Sequence, residues 1–73
     1  MGTVEWKCSD GRVVSLPDFV DARGRRVSVF TAGHFGATVR AGGRQVGRTV
    51  LTTDELVREY ERAGGVPVQH SGP

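Results

Sequence analysis

ATVRAGGRQVGRTV, residues Ala37 to Val50, is the stretch on which the fold turns. Gly42-Gly43 sits between two strand-like runs, and a two-residue type I′ hairpin turn needs positive φ at both central positions. Pairing outward from it sets Val39 opposite Val46 and Arg40 opposite Gln45. The valines then share one face, with Arg40 and Gln45 on the other. Continued without interruption, the alternation would carry Arg48 onto the valine face. Gly47 is the natural place for a β-bulge that turns Arg48 outward, after which Val50 and Leu51 finish the strand.

Upstream, Arg26 to Ala32 is rich in β-branched and aromatic residues (Val27, Val29, Phe30, Thr31) and reads as the preceding strand, with Val27, Val29 and Thr31 on one face. A four-residue turn, Gly33-His34-Phe35-Gly36, joins the two runs. Pro17 to Gly24 reads as a connection, because proline cannot donate in a ladder and Asp18 and Asp21 frame Phe19 and Val20 in a turn-forming context. Phe19 is expected to pin this segment to the core.

Earlier still, Thr3 to Cys8 alternates, with Val4, Trp6 and Cys8 on one side and Thr3, Glu5 and Lys7 on the other. Asp10-Gly11 then reads as another two-residue turn, setting Cys8 opposite Val13 and Trp6 opposite Ser15. That register leaves Val14 and Leu16 beside Lys7 and Glu5, so this face too is expected to be partly covered.

Downstream, Thr52-Thr53-Asp54-Glu55 is a capping box and predicts a helix over residues 53–63. Leu56, Val57, Tyr60 and Ala63 form its apolar stripe, Arg58, Glu59, Glu61 and Arg62 are expected to face water, and Gly64-Gly65 ends it. So short a helix persists only if its stripe docks on the sheet. Val66-Pro67-Val68 is expected along the sheet edge, and Gln69 to Pro73 is expected to fray.

The fold class is therefore mainly β within α+β. An antiparallel meander of four or five strands, as an open sheet or a small barrel of SH3 or OB type, carries one C-terminal helix. Residues 1–65 are expected to form a single domain and 66–73 its tail.

With 73 residues, a domain buries only about 60% of the surface its unfolded chain exposes. The single cysteine, Cys8, cannot form an internal disulfide, and with two histidines it makes no metal-ligand spacing. No metal and no cofactor are expected, and self-association or a partner would supplement the small core. No apolar run approaches a membrane span and the N-terminus lacks the regions of a signal peptide. The cytoplasm is the default compartment.

Six arginines (Arg23, Arg25, Arg26, Arg40, Arg44, Arg48) and no aspartate, glutamate or lysine fall in the 30 residues from Ala22 to Leu51, within a chain of net charge +2. Clustered arginine suits bidentate contact with phosphate or carboxylate. With Phe35 available to stack on a base, these seven residues are the candidate nucleic-acid or anion-binding set. Trp6, Phe19, Phe30 and Tyr60 are assigned to the core. No nucleotide-binding loop is present, since the segment from Gly42 to Arg48 lacks the lysine and hydroxyl residue of a P-loop.

Cys8 lies on an apolar face, which favours an inert thiol, and His34 sits at a turn tip. No catalytic residue is expected. The function expected is a small non-catalytic binding module, regulatory in character, engaging an anionic partner, nucleic acid or an acidic protein surface, through an arginine-rich face. The alternative is a protein–protein adaptor that uses the sheet edge and the acidic helix, which carries four acids (Asp54, Glu55, Glu59, Glu61) against Arg58 and Arg62.

Overall fold

A computed structural model describes residues 3–31 and 36–70. In chain order the elements are β1 (Thr3–Lys7), β2 (Val13–Pro17), β3 (Phe19–Val20), β4 (Arg26–Thr31), β5 (Ala37–Ala41), β6 (Arg44–Val50), α1 (Thr53–Arg62) and β7 (Val68–His70). The strands form two antiparallel sheets, β1-β2-β7 and β3-β4-β5-β6, and neither closes into a barrel. Only Asp18 separates β2 from β3, so one run of chain passes from the first sheet into the second. The meander of four or five strands thus becomes seven strands in two sheets among the described residues. The additions are β3, inside the stretch expected as a connection, and β7 near the C-terminus.

The central hairpin follows its sequence pattern. Gly42 and Gly43 have φ of 59° and 83°, and Val39 pairs with Val46, Arg40 with Gln45 and Ala41 with Arg44. The register shifts between Ala37 and Val39. Gly47, at φ 84°, supplies the bulge, leaving Arg48 exposed while Val50 returns to the core.

The first hairpin departs from the expected register by one residue. Trp6 pairs with Val14 and Val4 with Leu16, so all four lie on one face instead of splitting between two. The loop is Ser9-Asp10-Gly11, closed by the Cys8 amide donating to the Arg12 carbonyl at 2.6 Å. Only Gly11 adopts positive φ, at 88°. This three-residue geometry asks nothing unusual of Asp10, whereas a type I′ turn would force it into the left-handed region. A one-residue slip exchanges every side chain between faces, and here it gathers the apolar ones. The β3–β4 hairpin uses the same device, with the Asp21 amide donating to the Arg25 carbonyl at 2.9 Å and the Gly24 amide to the Asp21 carbonyl at 3.0 Å.

The helix begins as its capping box predicts, with the Glu55 amide donating to Thr52 Oγ1 at 3.2 Å. The Glu55 carboxylate reaches the Thr52 hydroxyl at 3.0 Å, not the Thr52 amide. At the other end the Gly64 amide donates to the Glu61 carbonyl and the Gly65 amide to the Tyr60 carbonyl. This is the paired bonding of a Schellman stop. Gly65 packs directly under the Tyr60 ring, where a Cβ would collide with it.

One core joins all three layers: Val14 and Leu16 from the first sheet, Val27, Val29, Ala37, Val39, Ala41 and Val50 from the second, and Leu56 and Tyr60 from α1. Burial of a side chain such as Leu56, which is fully enclosed, contributes about 1.5–3 kcal/mol. Tyr60 donates its hydroxyl to the Pro17 carbonyl and meets Phe19 edge-on at 5.4 Å between ring centroids. Phe19 therefore pins β3 to the core as expected, but from within a strand. The helix packs on β5 and β6, and its N-terminus is tied to the first hairpin by Thr53 Oγ1 donating to the Lys7 carbonyl at 3.0 Å.

Four further expectations are corrected. Glu59 is buried, not solvated, because the bulge brings Gly47 beneath its carboxylate. Phe30 is 50% exposed, because Val27 and Val29 take the inward positions of β4 and alternation turns Phe30 outward. Gln69 and His70 lie in β7, paired with Val14 and Val13 of β2, and so are not frayed. The edge strand begins at Val68 instead of Val66.

Candidate nucleic-acid interface

The four-stranded sheet has one face turned to the core and one turned away. Phe19, Val27, Val29, Val39, Ala41 and Val46 contribute to the core side. Alternation puts their neighbours on the other side: Val20 on β3, Arg26, Ser28 and Phe30 on β4, Thr38 and Arg40 on β5, and Gln45 on β6. Ser28 and Arg40 are direct cross-strand partners, as are Phe30 and Thr38. No acidic residue occupies an outward position on these strands.

The centre of this outer face is an arginine stacked on an aromatic ring. The Arg40 guanidinium carbon lies 4.2 Å from the Phe30 ring centroid, within cation–π range. Arg40 Nε is buried without a hydrogen-bond partner among the described residues. The ring contact places the guanidinium over Phe30, while the unpaired Nε leaves a donor open to a ligand.

The six sequence-predicted arginines fall into three groups. Arg26 and Arg40 lie on the outer face. Arg23, Arg25 and Arg44 gather at one end of the sheet, where the β3–β4 turn lies beside the Gly42-Gly43 turn. The Gly42 amide donates to the Arg26 carbonyl at 2.9 Å, and the aliphatic stem of Arg25 passes alongside Gly42. Arg48 stands apart at the bulge, where its Nη2 meets Glu55 Oε2 at 2.8 Å. Phe35 and His34 lie outside the described residues.

Several of these charges are already compensated. Arg25 Nε meets Asp21 Oδ2 at 2.9 Å, and Arg26 Nη2 meets Asp18 Oδ2 at 3.1 Å. Asp21 also accepts from the backbone amides of Arg23 and Arg25 at 2.9 and 2.8 Å. These amides, the Arg25 one foremost, together with the Arg25 guanidinium, hold its carboxyl below the usual value despite burial that acts the other way. No ion pair engages Arg23 or Arg44 among the described residues. A shallow cleft of about 420 Å³ beside Arg23 and Arg25 is bounded by Phe19, Asp21 and the helix end at Ala63 and Gly64. The carbonyl end of a helix beside a carboxylate disfavours an anion there.

The acidic helix is less acidic at its surface than in its sequence. Glu59 is buried and bridged by Arg62 at 3.3 Å, and Glu55 is held by Arg48. Exposed Asp54 and Glu61 are set against exposed Arg58. Cys8 is half-buried. Burial first, then the charges of Asp10 and Asp54, push its thiol above the ordinary value, keeping it protonated and weakly nucleophilic at neutral pH. Among the described residues no helix is long and apolar enough to cross a membrane, and no cluster of three potential metal ligands occurs.

Phe30, Ser28, Thr38 and Gln45 are the residues of this face that the candidate set missed. The signal was present, because placing Val27 and Val29 inward turns Ser28 and Phe30 outward, and Arg40 opposite Gln45 was already fixed by the turn. A scan against protein-family models finds no match, and searches of the curated proteins and of the solved structures find no significant match.

Proposed function

We propose that the protein is a small non-catalytic module that binds nucleic acid on the outer face of the β3-β4-β5-β6 sheet, with Arg26 and Arg40 as its cationic contacts. The observation that carries this reading is Arg40 stacked on Phe30 beside Arg26, itself paired with Asp18, on a face whose strands carry no acid. Positive charge on such a surface attracts phosphate at long range, while hydroxyl and amide groups from Ser28, Thr38 and Gln45 offer hydrogen bonds at short range. Regulation through occupancy of a nucleic-acid site is the role such a module would serve.

Titration with short oligonucleotides at two salt concentrations tests it. Each phosphate neutralised contributes about 0.7–0.9 to the slope of log K against log salt. The expected slope is about −2, and Arg26→Ala or Arg40→Ala should each reduce its magnitude by about 1. Absence of salt-dependent binding at low salt would end the reading.

An adaptor role has one observation in its favour. Strand β7 lies at an edge of its sheet, with Val68 46% exposed, which suits addition of a partner strand. The compensated charges of the helix leave it less to offer a basic partner. Salt-resistant capture of a specific protein, lost on Val68→Asp, would favour this second reading.

A further inference from the structure

We infer that the occupant of the outer sheet face is an unpaired strand, one of whose bases continues the stack begun by Phe30 and Arg40, and not a duplex. The inference rests on the nucleic-acid reading and narrows it. Duplex sequence is read by elements that enter a groove, usually a helix or a two-stranded ribbon. The one helix of the described residues packs behind β5 and β6, and its exposed Asp54 and Glu61, set against Arg58 and Arg62, give it no basic face for phosphate. The β5–β6 ribbon is not free to enter a groove, because β5 is paired along its other side with β4.

The outer face has what a single strand needs. Unstacked bases seek aromatic rings or guanidinium planes. Phe30, half exposed, and Arg40, already laid on its ring, supply both in one preordered pair. Preordering lowers the side-chain entropy lost on binding. Arg26 lies four residues from Phe30 on the same face of β4, about 13 Å along the strand, which separates a phosphate contact from the stacked base. Ser28 and Gln45 flank Arg40 across the ladder, within reach of a base edge.

Fluorescence anisotropy with a labelled oligothymidylate of about a dozen nucleotides, a length suited to one small β domain, tests the inference against two probes that carry phosphates without exposed bases, the duplex at about twice the linear charge. These are the matching duplex and the same strand with its bases removed. The intact single strand should bind about ten-fold or more tightly than either. Phe30→Ala should lower affinity by about ten-fold, the loss expected of one base stack, while leaving the salt slope unchanged. Arg40→Lys, which keeps the charge and loses the plane, should do the same in smaller measure. Arg26→Ala should instead reduce the slope. Duplex or base-free strand binding as tightly as the intact strand would overturn the inference while leaving the charge-based reading in place. No salt-dependent binding to any probe would remove both.

Discussion

The inner and outer faces of the four-stranded sheet are built by alternate residues of the same strands, yet they differ throughout in chemistry. Inward lie Val27, Val29, Ala37, Val39 and Ala41, all buried beneath α1 and the first sheet. Outward lie Arg26, Ser28, Phe30, Thr38 and Arg40, none of them buried. A small domain has little core to spare, so stability should reside in the first set. On the proposed reading, the second set is available to the nucleic acid. The comparison is sharp enough to break: inner substitutions should cost stability, and outer ones should cost binding alone.

The largest effect belongs to the cover of the inner face. Leu56→Ala removes a fully enclosed side chain and should cost about 2–5 kcal/mol, lowering the melting temperature by about 10 °C or more. Circular dichroism across a thermal ramp reads this directly. A shift of only a few degrees would mean that α1 does not seal the sheet.

Next comes the bulge. Gly47→Ala would place a methyl group against the Glu59 carboxylate at a backbone φ of 84°, and should cost about 1–3 kcal/mol. Gly43→Ala is the control, since its φ is nearly the same, at 83°, while its surroundings are open. Equal losses in the two variants would show that left-handed strain alone matters and that Glu59 can yield. On the outer face, Arg40→Gln should cost less than about 1 kcal/mol, the scale of an exposed cation–π contact. A larger loss of thermal stability would make Arg40 part of the core and dissolve the distinction between the faces.

How much of this was legible in the sequence differs from element to element for identifiable reasons. The Gly42-Gly43 hairpin, the Gly47 bulge, the Thr52 cap and the Gly64-Gly65 stop were readable because each rests on local backbone chemistry. The first hairpin was misread by one residue because Asp10-Gly11 suits two turn geometries. The choice between them lies in burying Val14 and Leu16 with Val4 and Trp6, a tertiary demand. Strand β3 is two residues long and exists only through its pairing with β4, so it leaves almost no periodic signal. Of the candidate site, the arginine count was visible but its division was not. Charge neutralisation by Asp18, Asp21 and Glu55 depends on contacts across turns and between elements, which no window along the chain reports.

Asp21 lies in the β3–β4 turn at the end of the sheet, and it carries the smallest expected effect. Its carboxyl is held below the ordinary value of 3.8, chiefly by the Arg25 amide and side chain and by the Arg23 amide. A carboxylate depressed in the folded state contributes stability that is fully present above its unfolded pKa and is lost as pH falls through the lower folded value. The melting temperature should therefore be insensitive to Asp21 near neutrality and decline as pH drops below about 3.8. In Asp21→Asn that part of the acid dependence should be absent, and an unchanged acid limb would contradict the assignment. The same substitution releases the Arg25 guanidinium, which Asp21 engages at 2.9 Å, at the turn end of the sheet. At neutral pH and low salt it should raise affinity for an oligonucleotide by a few-fold, in keeping with one uncovered surface charge. Weaker binding would mean that Asp21 serves the site by ordering its turn, and that arrangement of the arginines, more than their number, sets the strength of the contact.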